Sequence, residues 1–121
     1  MAKDLPAKRY WIVGASEGLG RALAEALDAR GASLILSARS EDRLKDLASG
    51  LRDATVVPID VTDPESVSNA AKDVGDFDGF IYSVGAYEPM KSTEWDGDAA
   101  RLMVATNITG CLNVLGEVVP R

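Results

Sequence analysis

The chain has 121 residues, a length that suits one domain and leaves no room for two. Its net charge of −6 argues against a groove for nucleic-acid phosphates, and a sequence without histidine lacks the commonest zinc ligand and general base, so we expect no metal site. The lone Cys111 cannot form an internal disulfide. The N-terminus has no apolar leader, and the sequence has no run of about 18 apolar residues, so we expect a soluble cytoplasmic protein with no membrane span.

Four short apolar runs predict β-strands, and a helical pattern follows each of them. The predicted strands are 10–13, 34–36, 55–59 and 79–84. The first helix is expected to end at Gly31. Ser40 is expected to cap the second helix, and Asp63 with Pro64 is expected to begin the third. A long last helix is expected over about 98–119. The apolar faces expected on the first and third helices are Leu19, Ala22, Leu23, Ala26 and Leu27, and Val67, Ala70, Ala71 and Val74.

This order of elements, β-α-β-α-β-α-β-α, is typical of an α/β protein whose parallel sheet has helices on both faces. We predict a Rossmann-like, doubly wound parallel sheet with its strands in the order 3-2-1-4. A complete sheet of this type has about six strands. The sheet of this chain is therefore expected to be incomplete.

A glycine-rich segment, Gly14 to Gly20, joins the first predicted strand to the first helix. The first turn of a helix leaves backbone N–H groups unpaired, and the helix dipole adds about half a positive charge there, so a phosphate group binds well. Glycines allow the tight turn and let the ligand approach the backbone. The segment therefore predicts a pyrophosphate site; the simpler alternative is a plain turn with incidental glycines.

The spacing Gly-x-x-x-Gly-x-Gly, in Val-Gly-Ala-Ser-Glu-Gly-Leu-Gly, resembles the cofactor loop of the short-chain dehydrogenase/reductase family. Asp60-Val61 resembles the family's Asp-Val, which by resemblance contacts the adenine end of NAD(P). Ser83-Val84-Gly85 stands where the family has Asn-Ala-Gly and keeps only the glycine. Asn107-Ile108-Thr109-Gly110 resembles its Asn-x-x-Gly, whose asparagine belongs to the catalytic tetrad and holds a proton-relay water.

The end of the second strand indicates which dinucleotide binds. Ala38 stands where an aspartate would bond the ribose 2′-OH of NAD, and Arg39 follows it, so we predict a preference for NADP(H) over NAD(H). Glu17 argues against this preference, because some NADP-dependent relatives have a basic residue there, and Arg39 could also be a solvated surface arginine. The predicted cofactor-binding residues are Gly14, Ser16, Glu17, Gly18, Leu19, Gly20, Arg39, Asp60, Val61, Ser83, Val84 and Gly85.

The resemblance also implies an acid/base tyrosine, a lysine four residues later and a serine on the preceding strand. The one Tyr-x-x-x-Lys match runs from Tyr87 to Lys91, and we reject it because Pro89 disfavours a helix and the match precedes Asn107. We expect residues 1–121 to form an NAD(P)-binding Rossmann domain that stops before these elements. Asn107 is then the one member of the catalytic set present, and we expect negligible activity from the chain alone.

Apolar residues cover more than one face of the last helix, which is typical of a helix buried on several sides. We expect Cys111 to be a small core residue. The family resemblance implies that this helix builds a subunit interface, so we expect a homo-oligomer, with this surface exposed in the chain alone. Three hypotheses remain: an oxidoreductase acting on a small carbonyl or alcohol, whose other half lies elsewhere; a non-catalytic nucleotide-binding or regulatory module that dimerises through this helix; and an inactive remnant. Asp60 and Asn107 favour the first.

Overall fold

The computed structural model describes residues 8–121. The strands are β1 (Arg9–Val13), β2 (Ser33–Ser37), β3 (Ala54–Val56) and β4 (Gly79–Tyr82). The helices are α1 (Gly18–Ala29), α2 (Glu41–Ser49), α3 (Pro64–Val74), α4 (Gly97–Val104) and α5 (Gly110–Val118), with a π-helical segment (Ala105–Thr109) between the last two. None of the helices in this described part of the chain is long and apolar enough to cross a membrane.

The four strands form one parallel sheet in the order β3-β2-β1-β4. The central strand β1 pairs with β2 on one side and β4 on the other, so that Ile12 lies opposite Leu36 and Ile81. The chain thus reverses its direction of winding at β1. The predicted Rossmann-like fold and strand order are confirmed.

Side chains alternate across the sheet and enter two separate cores. On one face, Trp11 and Ile35 pack with buried residues of α3 and with Val114 of α5. On the other face, Ile12 and Leu36 pack with buried residues of α1 and α2. Burial on both faces is the reason that these strands are continuous apolar runs.

The predicted helix boundaries are largely confirmed. Ser40 caps α2 by accepting a hydrogen bond from the Arg43 amide at 3.4 Å, and Asp63 caps α3 by accepting one from the Glu65 amide at 3.0 Å. Gly31, just after α1, has φ of 92°, a left-handed conformation that glycine adopts without strain. The predicted face of α3, which comprises Val67, Ala70, Ala71 and Val74, is buried.

The predicted face of α1 is wrong in part. Leu19 is 70% exposed, and Ala22 and Ala26 are also exposed, whereas Gly20 and Ala24 are buried. At Gly20 the helix lies so close to the segment before it that a Cβ would collide with the Gly14 carbonyl, whereas further along Leu27 packs against the core. Leu23 and Leu27 of the predicted face are half-buried, so the spacing of the apolar residues was right for only part of the helix.

β3 and β4 end earlier than predicted, at Val56 and Tyr82. Beyond β3, the amides of Val57 and Ile59 still donate to the carbonyls of β2 and the residue after it, at 2.9 and 3.0 Å. Pro58 lies between them, where its missing amide hydrogen faces away from β2, so both of these bonds persist beyond the strand.

The predicted last helix is three segments, because the π-helical turn interrupts it between α4 and α5. Within these segments Gly110 and Val114 are buried, and Cys111 is half-buried, so the prediction that Cys111 is a core residue is wrong. The exposed apolar side chains are Leu102, Val104, Ile108, Leu112 and Val119. The outer apolar surface of this helix is therefore exposed in the chain alone, as expected.

Candidate cofactor site

The loops that follow the four strands meet at one edge of the sheet and line a cavity of about 230 Å³. This edge holds the carboxyl ends of the strands, at the point where the winding reverses, which is where open α/β sheets bind ligands. Of the predicted cofactor-binding residues, the cavity is lined by Gly14, Ser16, Glu17, Arg39, Asp60, Val61, Ser83, Val84 and Gly85. Gly18, Leu19, Gly20 and Asn107 lie outside this lining.

Gly14 is the point where the loop after β1 meets the loop after β4. Its φ is 98°, and a Cβ there would lie 2.6 Å from the backbone carbon of Ser83. Its amide donates to the carbonyl of Ser37 at 2.7 Å, which joins the same loop to the end of β2. Only glycine satisfies both the backbone conformation and the close approach.

The other two glycines have different functions. A Cβ on Gly20 would lie 1.9 Å from the carbonyl oxygen of Gly14, so this glycine lets α1 approach the loop. Gly18 has φ of 59°, and a Cβ there would meet nothing within 4 Å. The backbone of Gly18, the first residue of α1, therefore faces free space.

The start of α1 has no side-chain cap. In contrast, Ser40, Asp63 and Asp96 cap α2, α3 and α4 through their side chains. The Glu17 side chain, at the N-cap position of α1, is directed instead to Arg43, with Oε2 3.1 Å from Nη1. The first amides of α1 are thus left for another hydrogen-bond acceptor, such as a phosphate oxygen.

The loop after β2 adds positive charge to the cavity. Arg39 is exposed and, within residues 8–121, has no hydrogen bond or ion pair. Ala38, where NAD-binding folds have an acidic residue, lines the cavity without a charged side chain. Arg43, which the sequence reasoning missed, also lines the cavity; its position in the first turn of α2 was the available signal.

Asp60 stabilises the loop after β3. Its Oδ1 accepts hydrogen bonds from the Thr62 amide at 3.0 Å and the Thr62 hydroxyl at 2.7 Å, and its own amide donates to the Ser66 hydroxyl at 2.9 Å. Val61 is 5% exposed and packs against Gly110 at the start of α5. These contacts keep the backbone of this loop at the cavity wall.

Asn107 contacts the loop after β4 through both ends of its carboxamide. Its Oδ1 accepts a hydrogen bond from the Ala86 amide at 2.7 Å, and its Nδ2 donates to the Ala86 carbonyl at 2.8 Å. Ala86 lines the cavity next to Gly85. The Asn107 side chain is therefore occupied in positioning this loop.

The π-helical segment that carries Asn107 has a second contact with β4. The Gly110 amide donates to the carbonyl of Ala105, and the hydroxyl of Tyr82 donates to the carbonyl of Thr106 at 2.9 Å. Burial, and to a lesser degree the nearby Cys111 thiol, raises the pKa of Tyr82 to about 12. The phenol is therefore a neutral hydrogen-bond donor at physiological pH.

The rejected pair Tyr87 and Lys91 lies in the segment between β4 and α4, outside any helix. Tyr87 is 83% exposed. The structure places neither residue in the lining of the cavity.

A family model described as short chain dehydrogenase matches residues 8–121. The chain belongs to the short chain dehydrogenase family. The resemblance drawn from the glycine loop and the Asn-x-x-Gly motif is thereby confirmed. The match covers the whole described part of the chain, including all four strands and the segment that carries Asn107.

Relatives of this family resemble the chain over part of their length. An uncharacterized oxidoreductase of Staphylococcus haemolyticus is 34% identical over 116 residues, which are 91% of this chain and 50% of that protein. An uncharacterized oxidoreductase of Staphylococcus epidermidis is 35% identical over 114 residues, 90% of this chain and 50% of that protein. The chain spans about half the length of the curated relatives it matches.

Solved structures of the family have the same fold. A short-chain type dehydrogenase/reductase from Mycobacterium ulcerans superposes with a TM-score of 0.83 at 25% identity, over 94% of this chain and 46% of that one. A 3-oxoacyl-(acyl-carrier protein) reductase from Brucella melitensis superposes with a TM-score of 0.80 at 27% identity, over 95% of this chain and 47% of that one.

Proposed function

We propose that this chain forms the cofactor-binding part of an NAD(P)(H)-dependent oxidoreductase that transfers hydride between a nicotinamide and a small carbonyl or alcohol substrate. The observation that carries the proposal is the meeting of the loops from all four strands around one cavity, beside a glycine-rich helix start without a side-chain cap. When bound, the cofactor supplies the hydride, and the protein supplies position and electrostatics.

The residues around the cavity fit a dinucleotide. The first amides of α1, from Gly18 to Gly20, would bind the pyrophosphate, since they have no side-chain cap and Gly18 faces free space. Asp60 and Val61 would hold the adenine end, and the 83–85 loop would continue the site towards the nicotinamide. Leu19 is largely exposed, so its backbone rather than its side chain would contribute.

We propose that the cofactor is NADP(H) in preference to NAD(H). Arg39 lies at the end of β2 beside the cavity with its guanidinium unpaired in the described part of the chain, and Ala38 offers no carboxylate for a ribose 2′-OH. A guanidinium pairs with a phosphate through two parallel hydrogen bonds. The carboxylate of Glu17 argues less strongly against a preference for NADP(H), because it is paired with Arg43.

We assign Asn107 a positioning function for the loop after β4, beside the relay function that the family resemblance implies. Both polar atoms of its side chain are occupied by Ala86. The proton-transfer tyrosine, lysine and serine of the family have no counterpart among residues 8–121, and the relatives are about twice as long. The chain alone is therefore proposed to bind cofactor without reducing a substrate.

We also propose that the protein is a homo-oligomer. Val104 of α4, Ile108 of the π-helical segment and Leu112 of α5 are exposed apolar side chains of the kind that subunits bury against each other. Sedimentation of the chain is expected to show a dimer or a larger species. A monomer at all concentrations would contradict this part of the proposal.

The test of cofactor preference is equilibrium binding of NADPH and NADH to the chain by titration calorimetry. NADPH is expected to bind at least about tenfold more tightly, a difference of roughly 1.4 kcal/mol. Arg39→Asp is expected to remove or invert this preference, because an aspartate repels the 2′-phosphate and accepts the ribose 2′-OH. Lys91→Asp, the same change of charge outside the cavity, serves as the control.

Equal affinity of the chain for the two cofactors would contradict the NADP(H) preference. Failure to bind either would contradict the proposed function as a whole.

A further inference from the structure

The loop after β3 is fastened to α5 at Val61. The Asn113 side chain, 52 positions further along the chain, donates from Nδ2 to the Val61 carbonyl at 2.9 Å in a partly buried place. On the same face of the helix, Gly110 lies so close that a Cβ there would be 2.7 Å from Cγ2 of Val61. One face of α5 therefore holds both the backbone and the side chain of Val61.

Val61 is held through both of the peptide planes that flank it. The Asp60 carbonyl accepts a hydrogen bond from the Asp63 amide at 3.1 Å, and the Val61 carbonyl accepts the one from Asn113. Because each peptide unit is planar, fixing these two carbonyls also fixes the directions of the Val61 and Thr62 amides. The orientation of the Val61 backbone thus depends on a side chain of α5.

The amide of Val61, a residue of the cavity lining, has no acceptor among residues 8–121. The amides on either side are occupied, since Asp60 donates to the Ser66 hydroxyl and Thr62 donates to Oδ1 of Asp60. Val61 is only 5% exposed, and backbone amides in such places are nearly always paired. This amide is therefore expected to pair with an acceptor atom of a ligand in the cavity.

We propose that Asn113 is a positioning residue for the adenine end of the cofactor, because its carboxamide holds Val61 so that the Val61 amide can donate to a ring nitrogen of the base. This inference rests on the proposed function, in which Asp60 and Val61 hold the adenine end. It extends that function to a residue outside the cavity lining. The motif that resembles the family's Asn-x-x-Gly ends at Gly110 and does not include position 113.

Asn107 and Asn113 hold different loops of the site. Asn107 binds Ala86 of the loop after β4, whereas Asn113 binds Val61 of the loop after β3. Since adenine is common to AMP, NADH and NADPH, loss of the Asn113 donor is expected to weaken all three alike. This result would differ from that of Arg39→Asp, which is expected to change the preference between NADPH and NADH.

The experiment is calorimetric titration of AMP, NADH and NADPH into the 121-residue chain and its variants. Asn113→Leu keeps about the size of the side chain and removes the donor, so each ligand should bind about fivefold more weakly, as expected for one hydrogen bond. The ratio of the NADPH and NADH affinities should stay within about twofold of the wild-type ratio. Asn113→Gln keeps a donor and is expected to restore most of the affinity.

Hydrogen exchange separates positioning of one loop from a general loss of stability. Asn113→Leu is expected to accelerate exchange of the Asp63 amide, whose bond to the Asp60 carbonyl closes the turn around Val61. Exchange of the Ala86 amide should not change, since Asn107 still holds it. Acceleration at both amides would indicate a structural effect on the whole domain and would overturn the inference.

Two further variants complete the design. Asn69→Leu is the matched control, since Asn69 is an exposed asparagine of α3 outside the cavity lining, and it should change neither binding nor exchange. Asn113→Asp has the shape of asparagine without its donor, so it provides the same test should the leucine variant fail to fold. Circular dichroism checks the folding of each variant.

The outcomes separate this inference from the proposed function. If the wild-type chain binds the three ligands and a folded Asn113→Leu binds AMP within about twofold of the wild type, the inference alone is overturned. An Asn113→Gln variant that binds no better than Asn113→Leu also overturns it, because the donor is then not responsible. A wild-type chain that binds none of the three ligands overturns both.

Discussion

The hydroxyl of Tyr82, at the end of β4, donates a hydrogen bond of 2.9 Å to the backbone carbonyl of Thr106 in the π-helical segment. In a regular α-helix the Gly110 amide would bind this carbonyl. Here the Gly110 amide bonds to Ala105, one residue earlier. The tyrosine therefore supplies the donor that the π-helical turn removes, and it links the turn bearing Asn107 to the sheet.

Tyr82→Phe is expected to destabilise the chain by about 1 kcal/mol, because the Thr106 carbonyl loses its donor in a partly buried place. Chemical denaturation measures the change. Tyr87→Phe is the control, since Tyr87 is 83% exposed and its removal should leave stability unchanged. Equal stability of both variants would show that water replaces the tyrosine hydroxyl at no cost.

The same tyrosine is expected to make stability depend on pH at the alkaline end. Its pKa rises from 10.0 to about 12 on folding, chiefly through burial. Between these values the unfolded chain has released the phenol proton and the folded chain still holds it. The contribution of Tyr82 to the free energy of unfolding is therefore complete below pH 10 and is lost as pH rises towards 12. Denaturation midpoints across this range should fall more steeply for the wild type than for Tyr82→Phe; parallel curves would contradict the assignment.

Substitution by alanine is expected to change the stability of the chain in opposite directions at two helical glycines. Gly20→Ala places a Cβ 1.9 Å from the Gly14 carbonyl oxygen, so it should destabilise the chain by about 1–3 kcal/mol. Gly116→Ala, where nothing lies within 4 Å, should stabilise it by about 0.5–1 kcal/mol because alanine favours a helix. Thermal unfolding distinguishes them, and a neutral Gly20→Ala would show that α1 does not approach the loop this closely.

Asn107→Ala is expected to accelerate hydrogen exchange of the Ala86 amide by at least about fivefold, since the variant lacks the acceptor and one such hydrogen bond contributes about 1 kcal/mol. Asn107→Asp keeps an acceptor for that amide and loses the donor to the Ala86 carbonyl, so its effect on exchange should be smaller. Nuclear magnetic resonance of the labelled chain measures both. Unchanged exchange in Asn107→Ala would argue against the positioning function.

Much of the fold could be predicted because its signals are local. Ser40 and Asp63 accept hydrogen bonds from amides two or three residues away, so their caps can be read from neighbouring positions. β1 and β2 are apolar throughout because helices cover both faces of the sheet. The glycine loop could also be predicted from neighbouring positions, since the spacing of its glycines depends on one strand, one turn and one helix start.

The sequence by itself determined the element order, the parallel α/β class, the helix starts and the family of the cofactor loop. Only the tertiary structure decided the buried side of α1, the π-helical turn, the Glu17–Arg43 pair and the contact of Asn107 with Ala86. These features join residues 21 or more positions apart, or depend on how closely two backbones approach. Such distances are set by the packing of the whole sheet and its helices, and local spacing of residue types does not contain them.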